Sequence, residues 1–122
     1  MEILIGLTVV YFAMVVFQKV TAPKVTHIKG SVLDEMIKDK SVKRQFVDVR
    51  TVGEFGTRKV KGFMNIPLET LMKRMKELDP EKPVVVMCAS GSRSMKAAKI
   101  LSKAGFKDIL NVRGGITSYS GK

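Results

Sequence analysis

Cys88 is the only cysteine in the chain of 122 residues, and its surroundings are unusual for an inert thiol. An apolar run, Val84-Val85-Val86-Met87, leads into it. Ala89-Ser90-Gly91-Ser92 then makes a short loop of small residues, and Arg93-Ser94 opens a helical pattern carried on by Met95, Ala97, Ala98, Ile100 and Leu101. A sulfur at such a strand-to-helix turn faces unpaired backbone N–H groups and the positive end of a helix dipole. That setting lowers a cysteine pKa and favours the thiolate. Arg93 adds a fixed positive charge. The loop therefore suits a sulfur anion, or a sulfur bearing a further anionic group. The alternative is a buried cysteine that merely packs, since free Cys often behaves as a small hydrophobe.

Other chemistry-bearing residues are few. His27 is the single histidine and lies far in sequence from Cys88. A structural or surface role is expected for it. One cysteine excludes an intramolecular disulfide and an all-cysteine metal site within one chain, and neither metal nor cofactor is expected. Asp48 and Arg50 are read as an ion pair that shapes a strand end. Net charge is +11, from 22 Lys and Arg against 11 Asp and Glu. Lys96, Lys99 and Lys103 fall on one helical face, read as the solvent face. The aromatic residues do not interleave with the basic ones, so no nucleic-acid partner is expected.

The elements that must position these groups follow from periodicity. Val25–Ile28, Phe46–Val49, Met64–Ile66, Val84–Met87 and Ile109–Val112 read as short strands. Helices are predicted over Val32–Lys38, with Ser31 as cap and Asp34 and Glu35 in the first turn, and over Ser94–Ala104, with Gly105 closing it. Leu68, Leu71, Met72, Met75 and Leu78 recur at helical spacing, which predicts an amphipathic helix over Leu68–Leu78. Gly115–Ser120 is read as a last helical turn. Strands alternating with helices imply an α/β unit with a mainly parallel sheet, and ligands bind such sheets beyond the C-terminal strand ends. Cys88, Arg50 and Arg113 each follow a strand, so all three are expected at that edge.

Residues 1–20 differ in kind. Ile3–Phe17 is uncharged, and Lys19, Lys24 and Lys29 follow it while no Lys or Arg precedes it. A spanning helix takes about 17–25 apolar residues, and Val20 extends this run if Lys19 snorkels. Glu2 stands where a cleaved signal peptide wants positive charge, so the flanks favour a retained anchor. The positive-inside rule then puts the rest of the chain on the cytoplasmic face of the cell membrane. Residues 21–24 form a short linker, and the nearby basic surface is expected to meet anionic membrane lipid.

Four segments in order resemble the rhodanese (sulfurtransferase) family. Cys88-Ala89-Ser90-Gly91-Ser92-Arg93-Ser94 resembles its active-site loop C-x-x-G-x-R-S. Phe46-Val47-Asp48-Val49-Arg50 with Glu54-Phe55 resembles its D-V-R…E-F signature. Gly62-Phe63-Met64-Asn65-Ile66-Pro67-Leu68 resembles G-A-x-N-I-P-L. Gly105-Phe106 with Leu110-Asn111-Val112-Arg113-Gly114-Gly115-Ile116 resembles G-F…V-x-x-L-x-G-G-I. The resemblance implies a single rhodanese-like domain over residues 25–122, a central sheet with helices on both faces, preceded by one transmembrane helix.

It also implies a reaction. Cys88 would attack the outer sulfur of a small anionic donor, thiosulfate or a persulfide, and hold that sulfur as a Cys88 persulfide. An outside thiol or protein acceptor would then take it, because no second cysteine is present. Backbone N–H groups of Ala89, Ser90, Gly91, Ser92, Arg93 and Ser94 would cradle the sulfur. Two departures bear on substrate choice. Arg58-Lys59-Val60-Lys61-Gly62 stands where the family often has G-H-I-P-G-A, and Tyr119 stands where it often has Trp. Arg50, Arg58, Lys59 and Arg113 are candidates for a basic pocket rim. The competing readings are a non-catalytic interaction module of the same fold, and a phosphatase. Phosphatases of this architecture carry a longer loop between cysteine and arginine than the four residues here.

Overall fold

The computed structural model describes residues 25–120 and the single position Val9. Five strands, β1 (Val25–Lys29), β2 (Gln45–Asp48), β3 (Met64–Asn65), β4 (Val84–Met87) and β5 (Ile109–Arg113), form one sheet in the order β1-β5-β4-β2-β3. Every pairing is parallel. Parallel strands carry helices on both faces and are buried on both, and β4 is buried at all four positions. β2 and β4 are neighbours, but the chain moves from β2 outward to β3 and from β4 the other way to β5. The crevice beyond their C-terminal ends is thus a topological switch point, where ligands bind sheets of this kind.

Alternation along the strands splits the core into two layers. Val47, Val84, Val86 and Ile109 face one side and meet Leu71, Ala97, Ala98 and Leu101. Val85, Met87 and Val112 face the other and meet Leu33, Phe63, Ile116 and Tyr119. The first layer is covered by α4 (Ser92–Lys103) and by α3 (Leu71–Arg74). The second is covered by α1 (Gly30–Lys38), with Phe55 of α2 (Val52–Thr57) at its margin.

Several sequence-based expectations need correction. α1 starts at Gly30, and Lys29 caps it without a side-chain bond, so Ser31 is inside the helix and not its cap. No acidic residue occupies its first turn. The reason is packing: a Cβ on Gly30 would lie 2.4 Å from the Ser118 carbonyl oxygen, and only glycine lets the helix begin this close to the C-terminal turn. The expected helix over Leu68–Leu78 is broken. Leu68–Thr70 and Met75–Glu77 are 3₁₀ turns flanking the one-turn α3. Leu71, at the start of α3, is fully buried, while its neighbour Met72 points away from the core and is 73% exposed. α2 was absent from the predicted elements, yet Thr51-x-x-Glu54 signals it, and both bonds of a capping box are present. β2 ends at Asp48 and α4 begins at Ser92, each one or two residues from expectation. Among the described residues no helix is long and apolar enough to cross a membrane. The anchor expected over residues 1–20 and the linker over 21–24 lie outside those residues, apart from Val9.

Candidate active site

Cys88 follows β4 directly, at the switch point, and is 1% exposed. The chain turns back over its sulfur through Gly91, whose φ of 118° is a conformation that glycine adopts without strain. This turn brings the Gly91 N–H to donate to Cys88 Sγ at 3.0 Å. Ser94, in the first turn of α4, sets its Oγ 3.4 Å from Sγ, as acceptor for the thiol hydrogen. Burial is the largest single influence on the thiol and pushes its pKa up. The Ser94 hydroxyl and the backbone N–H groups of Ser94, Gly91 and Ser90 act against it, and the balance lies below the usual thiol value. The loop thus holds a desolvated sulfur whose anion is favoured by oriented donors.

A second loop clamps the first. After β5 the chain passes Gly114 and Gly115, and the N–H groups of Ile116 and Thr117 donate to the carbonyls of Cys88 (2.8 Å) and Ala89 (3.3 Å). A Cβ on Gly115 would sit 2.4 Å from the Cys88 carbonyl oxygen and 2.5 Å from the Ala89 carbonyl oxygen. Gly115 is therefore what lets the end of β5 lie against the cysteine loop. Sequence reading gave it no role at the sulfur; its signal is the proximity of two loops at one sheet edge.

Of the sequence-predicted site residues, Cys88, Gly91 and Ser94 converge on the sulfur, and the backbone of Ser90 joins them. Ser90 and Ser92 are exposed, at the mouth of the loop. Arg93 does not present a free charge. Its guanidinium makes a two-armed pair with Glu54 of α2, Nη1 to Oε1 at 2.6 Å and Nη2 to Oε2 at 2.9 Å. Those bonds are the first cause that holds the Glu54 carboxyl down to about 2, with the Thr51 bonds adding to it. A Cys88 thiolate still favours the Arg93 charge through space.

Arg50 is not a rim residue. It is 4% exposed and pairs with the fully buried Asp48, its Nη2 donating to Oδ2 at 2.7 Å and its Nε to both carboxylate oxygens at 3.0 Å. Its remaining donors reach the carbonyls of Glu54 and Arg58. The structural ion pair expected of Asp48 and Arg50 is present, and it ties α2 to the end of β2. A line of contacts thus runs from Asp48 through Arg50 to α2, and from Glu54 to Arg93 beside the sulfur. Asn65 braces the same strand end by donating to the carbonyls of Asp48 and Arg50. Arg58, Lys59 and Arg113 are exposed. Arg58 donates to the Tyr119 carbonyl at 2.9 Å, and Lys59 lies over the Phe55 ring. His27 and Asn111 were given no part in the chemistry, but both belong to the surroundings of Ser94. Ser94 Oγ donates to Asn111 Oδ1 at 2.5 Å, and Asn111 Nδ2 lies 3.2 Å from His27 Nδ1.

Comparison with known proteins agrees with this geometry. A model of the Rhodanese-like domain matches residues 29–122. YqhL of Bacillus subtilis is 31% identical over 114 residues, covering 93% of this chain and 90% of that one. Thiosulfate sulfurtransferase GlpE of Shewanella oneidensis is 32% identical over 93 residues, covering 76% of this chain and 90% of that one. Among solved structures, a rhodanese-related protein of Thermoplasma volcanium has a TM-score of 0.68 at 34% identity, over 77% of this chain and 89% of that one. With a parallel five-stranded sheet, a cysteine cradled at its switch point and a family match over most of its length, this chain belongs to the rhodanese-like domain family.

Proposed function

We propose that the protein is a sulfurtransferase that carries sulfane sulfur on Cys88. The observation that carries this reading is the Cys88 sulfur itself, desolvated yet met by the Gly91 N–H at 3.0 Å and by Ser94. The similarity to a thiosulfate sulfurtransferase supports it. In the first step the thiolate attacks the outer sulfur of thiosulfate. The new S–S bond forms as the old one breaks, sulfite leaves with the electron pair, and Cys88 becomes a persulfide. In the second step an outside thiolate, or cyanide, attacks the terminal sulfur and the Cys88 thiolate departs. This is covalent catalysis in two displacements. Sulfite is a weakly basic leaving group, so no general acid is required. The loop N–H groups stabilise the sulfur anions at both stages, and Arg58, Lys59 and Arg113 draw the anionic donor to the mouth.

The test is intact-mass spectrometry of the full chain, in mild detergent, after incubation with thiosulfate. Cys88 gains one sulfur atom, and cyanide then removes it as thiocyanate. A chain that gains no sulfur from thiosulfate or from a persulfide donor is instead an interaction module on this fold. We also propose that residues 1–20 anchor the domain at the cytoplasmic face of the cell membrane. The apolar run and the lysines after it support this. Release of the chain from membranes by alkaline carbonate would refute it.

A further inference from the structure

The Cys88 sulfur is connected to the surface by hydrogen-bonding side chains. Ser94 Oγ lies 3.4 Å from Sγ and 2.5 Å from Asn111 Oδ1, and Asn111 Nδ2 lies 3.2 Å from His27 Nδ1. Ser94 and Asn111 are buried, at 0% and 3% exposure, while His27 is exposed. His27 of β1 is in register with Asn111 of β5, so the sheet itself holds the last contact.

The direction of these bonds depends on the state of the sulfur. A hydroxyl has one hydrogen to give. With Cys88 as a thiol, S–H donates to Ser94 Oγ, and Ser94 donates to Asn111 Oδ1 at 2.5 Å, the nearer of its two acceptors, the Gly91 carbonyl lying at 3.0 Å. Asn111 Nδ2 then donates to His27 Nδ1, which must be bare, so the imidazole carries its hydrogen on Nε2. A thiolate or a persulfide has no hydrogen on Sγ. The Ser94 hydroxyl now serves best by donating to Sγ, and Asn111 Oδ1 loses its donor. A half-turn of the carboxamide exchanges two groups of nearly equal size without repacking. It sets Nδ2 against Ser94 Oγ and Oδ1 against His27, whose Nδ1 must then carry a hydrogen. A buried amide oxygen left without a donor costs about 1–3 kcal/mol, so the reversed order is the favourable one.

We propose that His27 is a positioning residue: by placing its hydrogen on Nδ1 it reverses the Asn111–Ser94 bonds and holds the Cys88 sulfur in its proton-free form. The persulfide half of this rests on the sulfurtransferase reading, while the thiolate half does not. The amide passes bond direction and not a proton. Lys29 and Arg113 follow on the same face of β1 and β5, and α4, over that face, exposes Lys96, Lys99 and Lys103. Asp34 and Glu35 belong to α1, which covers the opposite face. The neutral Nδ1–H tautomer supplies what the chain of bonds needs. By linkage, the state of Cys88 sets the tautomer of His27 as strongly as His27 sets the state of Cys88.

Because His27 is the only histidine, labelling with ¹⁵N-histidine yields one imidazole to follow. In the full chain, nitrogen shifts should report hydrogen on Nε2 while Cys88 is a thiol, and a move to Nδ1 as the thiolate forms on raising pH or as thiosulfate loads the persulfide. The Cys88→Ala chain should show no such move. His27→Leu should slow alkylation of Cys88 at fixed pH by roughly three-fold, through a smaller thiolate fraction, and His27→Gln, which keeps a donor, should restore most of it. A tautomer indifferent to ionised Cys88, or equal alkylation in all three chains, overturns the proposal. Failure of thiosulfate to load any sulfur would count against the sulfurtransferase reading alone, since the thiolate arm still reads His27.

Discussion

At the scale of single residues, the sulfur is governed by donors more than by charge. Arg93, the one cation of the loop, is already held by Glu54 at 2.6 and 2.9 Å. What favours the thiolate is Ser94, through its hydroxyl and its N–H, with the Gly91 and Ser90 N–H groups beside it. Ser94→Ala removes the hydroxyl and orphans Asn111 Oδ1. We expect the apparent pKa of Cys88, read from the pH dependence of iodoacetamide alkylation, to rise, and stability in urea to fall by about 1–3 kcal/mol. Sign matters for the wild-type thiol. Its folded pKa lies below the unfolded one, so the stability that it contributes is present above the unfolded value and lost as pH falls through the folded value.

At the scale of elements, α2 is a six-residue helix with no buried residue of its own. It is held by a capping box, by Arg50 from below and by Arg93 from the side. Asp48→Ala leaves Arg50 buried without its carboxylate, and breaking such a pair costs about 3–5 kcal/mol. The double variant Asp48→Leu with Arg50→Met should unfold at higher denaturant than Asp48→Ala alone. Glu54 gives a pH signature. Its carboxyl is held at about 2 against an ordinary 4.5. The stability that it contributes is therefore full above about pH 4.5 and is lost as pH falls from there towards 2, where the folded carboxyl itself takes up a proton. Both partners are about one-third exposed, so the difference between wild type and Glu54→Gln at neutral pH should be below about 1 kcal/mol. Acid titration of the two chains should show the gap closing over that window.

For the whole molecule, topology and charge decide what reaches the sulfur. The clamp between the β5 loop and the β4 loop joins the two halves of the sheet edge at Gly115. Gly115→Ala puts a Cβ 2.4 Å from a backbone oxygen. We expect it to lower the melting temperature and to cut sulfur loading of Cys88 more than Gly53→Ala does, since a Cβ at Gly53 meets nothing within 4 Å. The net charge of +11 predicts that KM for thiosulfate rises with salt. Charge reversal at Lys59 should raise KM and flatten that dependence, while kcat holds.

Much of this protein follows from local order along the chain. Val84–Met87 is continuously apolar because a parallel strand is buried on both faces, and that period is readable without a structure. The cysteine in a small-residue turn before a helix is equally local, since the sequence around Cys88 supplies the donors that meet its sulfur. The β-strands, α4 and the Asp48–Arg50 pair, two residues apart, were legible for the same reason. Other features depend on contacts between distant parts of the chain. Gly30 starts α1 because Ser118 lies against it, and Leu68–Leu78 breaks because its side chains must meet a core through 3₁₀ turns. Arg93 finds Glu54 from 39 positions away, and His27 reaches Asn111 from 84. Parallel strands joined by crossovers bring such residues into register, and a periodicity of neighbours carries no record of it. Local sequence determined that the one thiol lies in a small-residue turn before a helix; only the tertiary structure decided which side chains would hold it there.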